Sequence, residues 1–429
     1  MKKKVHFHTL GCKLNYSETS SIGKQFISNG FNISDENEPA DVYVINSCSV
    51  TESAERECRQ IVRRFLRINP EAFIIVTGCY AQLRPREISE IDGVDAVIGS
   101  NEKSRIFNFI DSFKKNEHSC TFHTATEDIK DFSFASSSEA DGRTRAFFKI
   151  QDGCNYPCTY CTIPRARGKS RSPKSPLVLE NFKKLLEEGY KEIILTGVNV
   201  GEYGKDNGEN LYGLLREMVE IEGDFRIRIS SIEPNLLTDE IINFVKNEEK
   251  MCRHFHIPLQ SGSSEILRVM KRRYNVQLYE NLVNKILKEI PDAGIGVDVI
   301  TGFPGETEML FSESYNFIKS LPVSYLHVFT YSERPDTPAI NLDGSVEIPE
   351  RKKRNKILRA LSEEKHGLFC QKMKGKELEV LFENDENNGY IKGFTSNYIR
   401  IFYKFNISLC NKFSKIKFTN EYPENCSVI

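Results

Sequence analysis

Cys154, Cys158 and Cys161 bring three thiols into one short stretch, Cys154-Asn-Tyr-Pro-Cys158-Thr-Tyr-Cys161. Given the cysteine content, that C-x3-C-x2-C spacing would arise by accident in roughly one such chain in a hundred. The triplet follows a strand-like run, AFFKIQDG (146–153), and so falls in a loop at the strand's carboxyl end, where α/β sheets put their sites. Structural zinc takes four closed ligands, and no fourth cysteine or histidine stands nearby. Three thiolates suit a 4Fe–4S cluster that keeps one iron open, whereas electron carriers use four. The alternative is three small buried hydrophobes, and cysteines buried for packing do not gather on a loop.

Cys12, Cys48 and Cys79 are far apart in sequence, but each falls just beyond a strand-like run: TLG before Cys12, VINS before Cys48 and VTG before Cys79. In a parallel sheet those ends share one edge, so three loops could bring the thiols to one crevice. Gly11 and Gly78 would allow close backbone approach there. Spacing alone leaves a metal site and ordinary packing both open. Cys58, inside a charged helix, reads as a packing residue. Cys120, Cys252, Cys370, Cys410 and Cys426 read as structural.

The elements that must position these thiols alternate. Over the first hundred residues the strands VHFHTLG (5–11), DVYVINSC (41–48), FIIVTGC (73–79) and DAVIG (95–99) are separated by helical patterns. That is the signature of βαβ units and a doubly wound parallel sheet. Residues 111–142 are polar and Ser-rich without a sustained period, and 116–142 reads as a linker. Six more strands then alternate with helices, at 146–153, 191–199, 226–234, 254–262, 294–305 and 324–333, enough for an open, partial α/β barrel. A basic helix follows over 351–373. The last ~60 residues read as short strands of a small β-barrel. The domains expected are thus 1–115, 143–366 and 367–429.

Composition narrows the function. The 429 residues carry 59 Lys plus Arg against 60 Asp plus Glu, so the protein is not coated in positive charge. No apolar run approaches the ~20 residues needed to cross a bilayer, and Lys13 interrupts what would be a signal peptide. A cytoplasmic location without a membrane partner is expected. Thiols stay reduced there, so twelve cysteines call for metal or redox chemistry rather than disulfides.

C-x3-C-x2-C after the first strand of a partial barrel resembles the radical S-adenosylmethionine (radical SAM) enzymes. In that family the open iron chelates SAM, and an electron from the cluster cleaves it to a 5′-deoxyadenosyl radical. Three further stretches resemble the signatures of the methylthiotransferase branch: Gly11-Cys12-Lys13-Leu14-Asn15, Asn46-Ser47-Cys48-Ser49-Val50-Thr51 and Thr77-Gly78-Cys79-Tyr80-Ala81-Gln82. The run from Arg145 to Gly168 is also typical of it. The resemblance implies two 4Fe–4S clusters and SAM, with Cys12, Cys48, Cys79, Cys154, Cys158 and Cys161 as metal ligands and catalytic residues.

It further implies SAM contacts at successive strand ends. Tyr160 stands where the family stacks an aromatic near adenine, core packing being its other reading. Gly197 and Asn199 fall near the methionine end, Ser230, Ser231 and Glu233 near the ribose, and Gln260 and Gly302 on the same face. His254 and His256 read as strand-packed.

Local charge points to RNA. From Arg143 to Lys174 there are eight Lys or Arg and one acid, Asp152. RQIVRRFLR (59–67), RVMKRR (268–273) and RKKRNK (351–356) are further basic blocks, either phosphate footprints or solvated helix faces. The C-terminal piece interleaves aromatics with bases and resembles the TRAM barrel that closes methylthiotransferases. Arg165, Arg167, Lys169, Arg171, Lys392, Tyr398 and Arg400 are the candidate RNA contacts. The opening from Thr9 to Glu18 looks most like the threonylcarbamoyladenosine group. The implied reaction replaces C2–H of that nucleoside, next to the anticodon of tRNA, with C2–SCH3. Sulfur and electron donors are implied without being identified. Competing readings are a methylthiotransferase acting on isopentenyladenosine tRNA or on a ribosomal protein, and a non-catalytic Fe–S or zinc RNA-binding module.

Overall fold

The structure is a computed structural model, and it describes residues 2–35, 38–49, 51–137, 144–421 and 424–429. Val50, Arg143 and the 138–142 end of the polar excursion, all named above, lie outside the described residues.

The N-terminal sheet is built from β1 (Lys4–Thr9), β2 (Asn32–Ile33), β3 (Val42–Ser47), β4 (Phe73–Gly78), β5 (Ala96–Ile98) and β6 (Cys120–Phe122). Their order is β2-β1-β3-β4-β5-β6, with parallel pairing throughout. Alternate residues of the central strands serve opposite faces, as the pleat requires. Val42, Val44, Phe73 and Ile75 pack with Ile22 and Phe26 of α1 (Lys13–Ser28). Tyr43, Ile45, Ile74 and Val76 pack with Cys58, Ile61, Val62 and Phe65 of α2 (Glu52–Ile68). The sheet is therefore doubly wound. Thr51 starts α2 by accepting a bond from Ala54 N at 3.2 Å, with Glu52 and Glu55 in the first turn where the helix dipole favours acids.

The expected linker needs correction. Residues 120–122 pair with β5 as the sheet's sixth strand, and Ser136 forms a bridge to Phe148 of the barrel. The strand is too short and too polar to announce itself because it is an exposed edge.

In the barrel, β7 (Arg145–Lys149), β8 (Glu192–Thr196) and β9 (Arg226–Ile229) make one parallel sheet. The second is formed by β10 (His254–His256), β11 (Gly294–Thr301) and β12 (Tyr325–Thr330). Single parallel bridges, Ile227 to Met251 and Ser231 to His256, join the two halves. Six strands thus run in chain order around one large apolar core. Among the described residues no ladder joins β12 back to β7, so the barrel is open.

The helix α3 (Ile348–Met373) closes this unit. Its RKKRNK block is only partly a free basic face, with Lys352, Lys353 and Lys356 exposed. Arg351 and Arg354 are buried, Arg351 against Gly302 and Arg354 on Glu306 at 2.8 Å. The final unit is a five-stranded antiparallel sheet, in which β13 (Glu377–Asn387) is central, flanked by β14 (Tyr390–Thr395) and β16 (Phe413–Phe418). The edge strands β15 (Arg400–Lys404) and β17 (Cys426–Val428) meet through Asn425, which bonds Phe402 from both sides, so the sheet nearly closes.

Candidate functional site

Cys12 caps the start of α1, Cys48 follows β3, and Cys79 begins a short helix after β4. Side chains tie the three loops. Asn15 Nδ2 donates to Leu10 O at 2.8 Å and to Ser47 O at 3.2 Å, and Ala81 N donates to Ser47 Oγ at 3.3 Å. Gly11 has φ +98°, and a Cβ there would lie 2.8 Å from Cys48 Cβ. Gly78 has φ +97°, and its Cβ would fall 2.3 Å from Ser47 O. Only glycine fits either position. The Cys12 thiol is reachable by solvent yet surrounded by protein. Burial pushes it up, while the Arg167 guanidinium pulls it down and the neighbouring Cys79 adds to the rise.

The second loop is clamped by its own return. Cys154 N donates to Gly168 O at 3.1 Å, and Asp152 and Arg171 exchange backbone bonds. Burial pushes the Cys154 and Cys161 thiols up to about 12, and each also feels Cys158. Cys158 is raised by burial as well, opposed by Arg272, whose Nη1 lies 3.1 Å from its sulfur.

The two cysteine loops are joined at one contact between the domains. Ser49, which follows Cys48, has its hydroxyl 3.4 Å from that of Thr162, which follows Cys161. A cavity of about 190 Å³ lies there, lined by Thr51, Tyr160, Cys161, Gln260, Asp298 and Tyr331 among others. Among the described residues, the three metal-ligand-type atoms found within 4.8 Å of one another belong to His256, Asp298 and His327. Neither triplet is tight enough for one ion to bridge all its thiols. Soft thiolates, each on its own iron of a cluster, are the arrangement the donor sets fit.

The strand-end residues fall on this face with different environments. Asn199 is buried with both side-chain polar atoms unpartnered among the described residues, as are Thr196 Oγ1 and Glu202 Oε2. Orphaned donors and acceptors of this kind call for a polar partner, a ligand or water. Gly197 rests on Gln151, and Ser230 is buried at the end of β9. Ser231 Oγ bonds His256 Nδ1 at 3.1 Å, and Gln260 lines the cavity with φ +66°. Tyr160 is half-buried, edge-on to Phe303, with Arg272 Nη1 at 3.3 Å from its hydroxyl. At Gly302 a Cβ would strike the Arg351 side chain, so packing by itself already asks for glycine there.

Sequence reasoning missed four groups. Arg272 was counted as part of a basic block, yet its side chain is 3% exposed. It ion-pairs with Glu233, whose carboxyl burial raises against that pairing. Asp298 was overlooked although it is the single acid in the apolar run GIGVDVITG. His256 Nε2 and His327 Nδ1 both reach its Oδ1, at 2.8 and 3.2 Å, and against the cost of burial they hold it well below the usual carboxylate range. Lys13 was noted only as a break in the opening run and as a letter of a motif, and Glu18, the partner of Arg167, only as the end of one.

Arg167 is the principal correction among the RNA candidates. It is 2% exposed and bonds Glu18 at 2.9 and 3.0 Å, Asp152 at 3.1 Å and Asn15 at 2.9 Å. Lys149 and Lys103 complete the network on Glu18. Arg171 is spent on Asp152 at 3.0 Å. Tyr398 packs inward against His254 and Tyr325. Arg165, Lys169 and Arg400 are exposed, and Lys392 is half-buried.

A partial α/β barrel with C-x3-C-x2-C beyond its first strand defines a radical SAM enzyme. The family model described as "Radical SAM superfamily" matches residues 148–318. A second, "Uncharacterized protein family UPF0004", matches residues 4–99. Over 428 residues the chain is 40% identical to a protein of Bacillus subtilis named threonylcarbamoyladenosine tRNA methylthiotransferase MtaB, covering 98% of this chain and 95% of that relative. An Aquifex aeolicus protein of the same name is 41% identical over 401 residues, covering 93% and 96%. A Fusobacterium nucleatum tRNA-2-methylthio-N(6)-dimethylallyladenosine synthase is 32% identical, covering 97% of each chain. Among solved structures, the radical S-adenosylmethionine methyltransferase TsrM of Kitasatospora setae superposes with TM-score 0.56 at 14% identity, covering 79% of this chain and 77% of that one. That likeness speaks to the fold alone. The chain belongs to the methylthiotransferase family of radical SAM enzymes: it is a transferase that takes a 4Fe–4S cluster and SAM. No helix among the described residues is long and apolar enough to cross a membrane.

Proposed function

We propose that this chain converts N6-threonylcarbamoyladenosine, next to the anticodon of tRNA, to its 2-methylthio derivative. What supports the reading is the Ser49–Thr162 contact, which joins the loop after Cys48 to the loop after Cys161, in a chain whose 40% identical relative is named for that activity. Cys154, Cys158 and Cys161 would hold the SAM-binding cluster. Cys12, Cys48 and Cys79 would hold a second 4Fe–4S cluster that presents the sulfur. Bound there, clusters and SAM supply the one-electron chemistry that frees a carbon of a hydrogen neither acidic nor hydridic, together with sulfur and methyl.

The chain's own residues bind, orient and shield. Asn199, Thr196 and the Glu233–Arg272 pair offer polar partners for SAM, and Tyr160 and Gln260 wall the cavity. The apolar side chains of Ile300 and Phe329 keep water from the reacting atoms. The proposed units are a sulfur-presenting domain over 1–122, a SAM core over 143–366 and an RNA-binding barrel over 367–429. Arg165, Lys169, Lys392 and Arg400 remain candidates for phosphate.

Nucleoside mass spectrometry of tRNA from a host lacking the activity, with and without this gene, tests the reading. 2-Methylthio-N6-threonylcarbamoyladenosine is the expected product. A methylthio mark on isopentenyladenosine instead would overturn the substrate, and no new nucleoside with intact clusters would overturn the RNA reading.

A further inference from the structure

Lys13, the residue after Cys12, turns an ammonium inward. It opens α1, is half-buried, and holds Nζ 5.9 Å from the centroid of the Tyr398 ring. Tyr398 is fixed in place, with φ +73°, its ring stacked on Phe394 at 5.0 Å and tilted on His254 at 4.6 Å and Tyr325 at 6.0 Å. His254 and Tyr325 belong to β10 and β12, and His254 Nε2 is 2.9 Å from the Tyr325 hydroxyl. One side chain from the sulfur-presenting domain, one from the C-terminal sheet and two from the barrel therefore meet at a single spot. Two residues along the same strands, His256 and His327 bond Asp298, which lines the cavity shared with Tyr160 and Cys161. The spot lies at the first residues of β10 and β12, about 7 Å from that layer along the strands.

Its charge is unbalanced. Arg226 and Arg228 are taken up by Glu192, and Arg145 by Glu383. Among the described residues no carboxylate stands within ion-pair distance of Lys13. A cation drawn partly out of water without a partner is costly, so an anion there would be welcome. His254 Nδ1 is buried and unpartnered among the described residues, and the ring is 3% exposed. If the Tyr325 hydroxyl donates to Nε2, the proton sits on Nδ1, which is then a free donor.

We propose that Lys13, with Tyr398 beside it, binds the carboxylate of the threonine-derived substituent of the substrate adenosine and is the residue that selects this nucleoside. The inference rests on the function proposed above. In adenine, C2 and C6 flank N1, so a base whose C2 reaches the sulfur presented at Cys12 carries its N6 substituent toward the residues next to Cys12. A threonylcarbamoyl group bears a free carboxylate, whereas an isopentenyl group is hydrocarbon, and an ammonium set in a half-buried site distinguishes the two. The inward, half-buried position favours a small carboxylate over the RNA backbone.

The test is the affinity of the reconstituted full-length protein for three anticodon stem-loop RNAs differing at one nucleoside. These carry threonylcarbamoyladenosine, the same group with its carboxylate as a carboxamide, and isopentenyladenosine. Wild type should prefer the carboxylate RNA over the carboxamide by roughly 10- to 100-fold. Lys13→Met should bring that ratio near one, Lys13→Arg should keep most of it, and Tyr398→Phe, which retains the ring, should lower it several-fold. A Lys13→Met ratio equal to wild type overturns the proposal. An equal loss of affinity for all three RNAs makes Lys13 a phosphate contact and overturns it too. If wild type does not distinguish the threonylcarbamoyl from the isopentenyl RNA, the substrate reading itself has failed, and the selection proposal with it.

Discussion

Ser49 and Thr162 touch through their hydroxyls at 3.4 Å, and each directly follows a cysteine, Cys48 in one triplet and Cys161 in the other. The contact is small in energy, about what a neutral hydrogen bond contributes at most. Its meaning is geometric. Two loops that fold on separate sheets are held edge to edge, which is the proximity the proposed transfer between them needs.

That arrangement separates two half-functions. Cys158→Ala should abolish SAM cleavage, because its thiol is central to the barrel triplet and bonded to Arg272. Cys48→Ala should still cleave SAM and yield no methylthiolated product. Deoxyadenosine and methylthio-nucleoside, quantified from the same reactions, check both. Normal turnover by the Cys48 variant would exclude its sulfur-presenting role.

The two domains are joined by a buried ionic network, and it should set the acid limit of stability. Burial alone would raise Glu18 and Asp152. Arg167, Lys103 and Lys149 hold the first well below the usual carboxylate range, and Lys149, Arg167 and Arg171 do so for the second. In the unfolded chain both take up protons near their ordinary values of 4.5 and 3.8, while the folded state refuses them. Falling pH therefore favours unfolding, and the stabilisation, complete above about pH 5, drains away below it. Arg167→Met takes one of three cations from Glu18 and one from Asp152, and should cost about 3–5 kcal/mol in urea unfolding near neutral pH. The double variant Arg167→Met/Glu18→Met should recover part of that loss. Additive losses in the cycle would show that the pair is not coupled.

Gly153 offers a test of the loop that carries Cys154. It has φ +71°, and a Cβ would lie 2.0 Å from Lys169 O. Gly189 has φ +88° with open space around it. Gly189→Ala should therefore show the conformational cost alone, about 1 kcal/mol. Gly153→Ala should show more, since the return strand at 168–171 must move, and should bind less iron on reconstitution. Equal melting temperatures for the two variants would mean that the clamp is dispensable.

The parts of this site that could be read from the sequence are those that depend on local order. The Cys154–Cys161 spacing is confined to one loop, and Cys12, Cys48 and Cys79 each follow a short apolar run that ends in polar residues or glycine. The rest depends on partners remote in the chain. Arg167 reads as one more base in a basic run until Glu18, 149 positions away, is brought against it. Arg351 and Arg354 look like a solvated helix face for the same reason, and pack instead on Gly302 and Glu306. β6 escaped notice because three residues on a sheet edge bury too little to impose a pattern. A charge run reports composition, while burial is decided by what the fold lays over it.

Arg272 is the last of these hidden charges, and it should govern SAM binding. Its guanidinium reaches four partners: Glu233, Cys158 Sγ at 3.1 Å, the Tyr160 hydroxyl at 3.3 Å and the Tyr274 hydroxyl at 3.0 Å. A planar fork can satisfy these together, and a lysine point charge cannot. Arg272→Lys should keep the charge opposite Glu233, cost little stability, and weaken SAM binding roughly tenfold by loosening Glu233 and Tyr160. Arg272→Gln leaves Glu233 buried without a cation and should cost about 3–5 kcal/mol besides. Adding Glu233→Gln should restore stability toward wild type without restoring SAM affinity, because the stranded charge is gone while the anchoring fork is still missing. Calorimetric SAM titration and urea unfolding of the four proteins separate the two effects. Recovery of SAM affinity in the double variant would mean that Arg272 acts on SAM only through the charge of Glu233, and wild-type affinity in Arg272→Lys would mean that the fork geometry is irrelevant.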